Sequence, residues 1–169
     1  MTPLQYLEEI VLPTISESRD DPESRRKAYL AAIVTHHIGD YLKAAGATNP
    51  WAAVERRAGA AARVVRAVAN GAKHSANPRD KNTVRFQAGS DYFRPSAAAG
   101  AMECGSSALG DAFGHITVEA EDGLWVPLMD CVRTLVHAYV GAYHADHFGD
   151  FATSRLQGLE SLPAELVGF

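Results

Sequence analysis

Cysteine is all but missing from this chain: Cys104 and Cys131 are the only two in 169 residues. Thiols so few and so irregularly placed offer neither a disulfide-stapled scaffold nor a metal knuckle, and they imply reduced thiols in an intracellular, cytoplasmic protein. Long hydrophobic runs are missing too. Arg, His, Asp or Glu interrupts every apolar stretch before the roughly 20 residues that a membrane-spanning helix requires, so a soluble protein with no membrane partner is expected. The N-terminal MTPLQYLEEIVLP lacks the basic flank and unbroken apolar segment of a signal peptide and should stay in the mature chain. The glycine-rich GSSALG (105–110) lacks the Lys-Ser/Thr ending of a phosphate loop, and neither an HExxH helix nor a Glu-rich bundle motif is present.

With 47% apolar and 21% charged residues, the chain is long enough to bury one core. The expected fold is mainly α: a four-helix bundle-like domain over residues 1–150, with a small β hairpin inserted before the last long helix, and a C-terminal tail over 151–169. Thr2 and Pro3 read as an N-cap and a first helical residue, with Leu4, Leu7, Ile10 and Val11 as an apolar stripe; Pro13 should kink or end this helix near the polar SESRDD. A second helix should start near Asp21-Pro22 and stop at Gly46, with Leu30, Val34, Ile38 and Leu42 as its core face. Asn49-Pro50 should open a third, whose Val54, Ala58, Ala61, Val65, Val68 and Ala72 form a seam of small residues suited to close helix contact, including contact with a second copy in a homodimer. Val84, Phe86 and Ala88 alternate as a short strand would, and HITVEA and LWVP flank Asp122-Gly123 as a hairpin. Pro127 should start the fourth helix, with a core stripe of Leu128, Val132, Leu135, Val136, Tyr139 and Tyr143.

Charge is unevenly spread. Residues 56–94 hold nine Lys/Arg against Asp80 and Asp91, in a chain whose net charge is −4. A basic middle between acidic ends can attract an anionic partner such as RNA or a nucleotide phosphate, and equally can be a solvated helix face plus a charged loop. Within it Arg66, Asn70 and His74 recur every four residues, with Lys73 alongside. Arg can hold a phosphate through two parallel hydrogen bonds and His can exchange a proton near neutrality, a set suited to metal-free RNA cleavage. The spacing holds only if the helix survives Asn70-Gly71, a good terminator.

His36-His37-x-x-Asp40-Tyr41, followed by Ala69-Asn70-x-x-Lys73-His74, a β insertion and a closing helix, resembles HEPN-type helical proteins. That superfamily is an α-helical bundle, commonly dimeric, and many members bind or cut RNA in toxin and phage-defence systems. The resemblance implies Arg66 as phosphate binder and His74 as acid/base, with no cofactor. Active members place four to six residues between Arg and His. Here Arg66 and His74 enclose seven and Arg133 and His137 enclose three, and members without the motif are thought to be non-catalytic.

Two other readings stay open. His36 and Asp40 with His137 and His144 could hold a metal between the second and fourth helices for metal-assisted hydrolysis, or His36 and Asp40 could simply satisfy each other one turn apart. The chain could also be a non-catalytic interaction module that dimerises through the small-residue seam. Cys104 and His115 have no visible third group to orient them as a nucleophile pair.

Overall fold

A computed structural model describes residues 1–73, 92–94, 115–120 and 124–149. The expected strand over Val84–Ala88, the Asp122-Gly123 turn, Cys104, His74 and the tail over 151–169 lie outside the described residues. Within them the protein is mostly helical, with a small antiparallel sheet before the last long helix.

The first helix starts where Thr2 and Pro3 place it. Thr2 accepts from the Gln5 backbone while the Gln5 side chain accepts from the Thr2 N–H, a reciprocal capping box. Helix α1 (Pro3–Tyr6) does not stop at Pro13. A π-helical turn, Leu7–Val11, carries it into α2 (Leu12–Asp20), so that Pro13 falls in the first turn of a new α segment, where its missing N–H costs little. The SESRDD stretch is therefore helical up to Asp20 rather than a connection.

Helix α3 (Arg25–Ala44) begins at Ser24, whose hydroxyl accepts from the Lys27 N–H, and ends at Gly46, with φ +97. Its core face is Ala28, Ala31, Ala32, Thr35, Ile38 and Leu42; Leu30, expected inside, is 37% exposed. Small side chains face inward because neighbouring helices press close. Gly39 shows this, since a Cβ there would sit 2.8 Å from the Tyr139 hydroxyl.

The expected third helix is two. Asn49 caps α4 (Pro50–Ala58), Gly59 breaks the chain direction with φ +51 and ψ −125, and α5 (Ala60–Lys73) follows. Only glycine adopts that backbone readily. Past the break the buried seam continues as Ala62, Val65 and Val68, with Ala61 and Ala72 only partly covered. Val54, Ala58, Val65 and Val68 belong to the chain's own core.

Strands β1 (Tyr92–Arg94), β2 (His115–Glu119) and β3 (Trp125–Pro127) form an antiparallel sheet with β2 central; Val118 pairs with Val126 and Phe93 with Ile116. Ile116 and Val118 enter the core. Helix α6 (Leu128–Tyr143) buries Leu128, Val132, Leu135, Val136 and Tyr139 as its spacing predicts, then ends in a second π turn, His144–Phe148, closed by Gly149. Helix α5 packs chiefly on α3 and α6. No helix among the described residues is long and apolar enough to cross a membrane.

Candidate functional site

The site forms where α3, α4 and α5 meet. Asn49, in the left-handed conformation at φ 43, turns the chain and presents its side-chain oxygen to the Ala52 N–H; Pro50 then sets the first helical residue. This fixes Trp51 at the start of α4. The indole meets His36 of α3 edge to face, with ring centroids 4.8 Å apart and planes at 78°, and Arg66 of α5 places its guanidinium carbon 5.4 Å from the ring centre. A cation over an indole is worth about 0.5–1 kcal/mol where partly exposed. Trp51 thus joins two residues thirty positions apart in the chain.

Helix α5 supplies the polar stripe. Val64, Val65, Ala67, Val68 and Ala69 are buried around most of its circumference, which leaves Arg63, Arg66 and Asn70, at i, i+3 and i+7, partly exposed on one side. Arg66 and Asn70 share a face, and the helix passes through Asn70-Gly71 to Lys73. Lys73 ends it; its side chain, like His74, lies outside the described set.

The remaining candidates are placed elsewhere. Asp40 takes a hydrogen bond from His37: His37 Nδ1 lies 2.6 Å from the Asp40 carboxylate at the exposed surface. The turn from 37 to 40 brings these two together, while His36 is turned toward Trp51. Tyr41 stacks on Tyr6 at 4.0 Å with planes 16° apart, and the Tyr6 hydroxyl donates to the Val34 carbonyl. Burial, with Tyr41 and Asp40 adding to it, pushes the Tyr6 phenol up to about 12. Behind His36, the Tyr139 hydroxyl approaches the His36 carbonyl at 3.5 Å, and burial raises its pKa strongly. Asp130 pairs with Arg133 one turn on. Among the described residues no group of three His, Cys, Asp or Glu side chains is gathered to hold a metal, so His36, Asp40, His137 and His144 do not assemble into the ligand set considered above.

The arrangement can bind an anion through Arg63, Arg66 and Asn70, and it carries an aromatic surface beside them. No family model, curated protein or solved structure matches this chain.

Trp51 is the residue that the sequence did not single out. A tryptophan after Asn-Pro reads as one more apolar residue of a helix start, and both its polar neighbours come from other helices. The only local signal is its place within a run, residues 50–73, that has five Lys/Arg and a single acid, Glu55.

Proposed function

We propose that the protein is a HEPN-like helical module that binds RNA or nucleotides through the outer face of α5 without cutting them. The observation that supports this is the Arg63–Arg66–Asn70 stripe beside Trp51, half-buried on a side of α5 away from its buried valines. Guanidinium groups bind phosphate bidentately, and aromatic side chains stack unpaired bases for about 1–3 kcal/mol each. The non-catalytic form is favoured by the spacing of Arg66 and His74, which departs from that of active HEPN nucleases.

The test is binding of a labelled single-stranded oligoribonucleotide by the full chain. Binding is expected to weaken as salt rises, and Arg66→Glu should weaken it by about tenfold or more, the loss of a charge-assisted phosphate contact worth roughly 1.5–3 kcal/mol. The RNA should stay intact in EDTA. Cutting in EDTA that His74→Ala abolishes would make the protein a ribonuclease instead, and equal binding by Arg66→Glu would remove α5 from the interface.

A further inference from the structure

We infer that the Trp51 site takes an unstacked base together with its phosphate, and that Arg66 exchanges partners when the ligand arrives. This rests on reading α5 as a nucleotide-binding face, and it names what that face recognises. In the free protein the Arg66 guanidinium lies over the Trp51 ring, 5.4 Å from its centre, and covers a surface on which a base could otherwise stack. A ring quadrupole holds a guanidinium less firmly than a phosphate that accepts two parallel charge-assisted hydrogen bonds. A phosphate arriving at the Arg63–Asn70 stripe therefore draws Arg66 off the ring and uncovers it for the attached base.

Two further features favour this exchange. The Trp51 Nε1–H is buried with no acceptor among the described residues, so no hydrogen bond shown there opposes a small readjustment of the indole as the base docks. His36, edge-on to the indole, limits how far the ring can swing when the cation leaves. Duplex nucleic acid presents phosphates but keeps its bases stacked, so the exchange selects nucleotides and single strands over duplexes. Arg66 supplies the phosphate contact and Trp51 the requirement for a base.

The test uses the full chain carrying Trp125→Phe, which leaves Trp51 as its one tryptophan. Tryptophan emission is followed while adenosine monophosphate, adenosine or inorganic phosphate is added at low salt, with binding measured in parallel by calorimetry. Adenosine monophosphate should quench Trp51 by about twofold, and Arg66→Ala should weaken it about tenfold while bringing adenosine to nearly equal affinity. Adenosine monophosphate that binds by calorimetry but leaves the emission unchanged overturns base stacking on Trp51 and leaves the anion-binding face standing. Unchanged affinity for adenosine monophosphate in Arg66→Ala overturns the exchange itself. If neither adenosine monophosphate nor a single-stranded oligoribonucleotide binds the protein, the proposed function falls, and this inference with it.

Discussion

A single methyl group added at Gly39 would lie 2.8 Å from the Tyr139 hydroxyl, inside any tolerable contact. Tyr139 is fully buried and cannot swing aside, so Gly39→Ala should destabilise the fold by about 1–3 kcal/mol through overpacking. The same change in a Tyr139→Phe background meets ring carbon at 3.6 Å, an ordinary contact. There it should be neutral or stabilising by up to about 1 kcal/mol, because alanine is the better helix former. Chemical denaturation of the four proteins in this cycle checks the sign reversal. Tyr139 and Gly39 together set how closely α3 lies on α6, and with that the position of His36 behind Trp51.

At the scale of elements, the break at Gly59 decides where the candidate site sits. Gly59→Ala forces a residue with a Cβ into a backbone region that glycine alone occupies readily, and should cost about 1–3 kcal/mol, seen as a lower urea midpoint with little change in slope. Most helix starts and stops could be read directly: Thr2-Pro3, Asn49-Pro50, Gly46 and Pro127 act through their own backbone geometry, which needs no distant partner. Gly59 escaped because one glycine inside an alanine-rich periodic run is usually tolerated, and the core pattern resumes only one residue out of step, at Ala62 instead of Ala61. Leu30 misled for a different reason. Periodicity locates an apolar arc, but on α3 the closeness of its neighbours gives the centre of that arc to alanines and turns a leucine outward. The site was readable as a basic stripe with Arg66 and Asn70 on one face. Its aromatic member was not, since the contacts of Trp51 with His36 and Arg66 are made by three helices.

Across the whole molecule, buried acids that prefer to stay protonated set the alkaline limit. Burial, helped by the Asp130 charge, lifts the Cys131 thiol from 9.0 to about 12, and Tyr6 rises from 10.0 to about 12. In both cases the unfolded chain releases its proton first. The stability they contribute is thus complete below about pH 9 and is lost as pH rises from there toward 12. Urea midpoints should fall above about pH 9, and Cys131→Ala should move the onset toward 10, where tyrosine begins to ionise. A midpoint that stays level to pH 11 would contradict the burial of both groups.

The π turn at Leu7–Val11 holds one residue more than an α-helical turn of the same span. Leu7, Val11 and Ile15 are each four apart and all buried, a spacing that would drift around a straight α-helix. The widened turn corrects that drift. It also makes this the one place in the described helices α1 to α2 where the chain has length to give. Removal of exposed Glu9, with Pro13 changed to Ala so that an unbroken α-helix can form, should leave the two halves of the helix in nearly their present rotational phase, whereas removal of a residue such as Ile33 from the middle of the unbroken α3 should turn the rest of that helix by about 100°. Far-ultraviolet circular dichroism and thermal melting of the two deletions would tell them apart: the first should keep a cooperative transition, and the second should lose much of it.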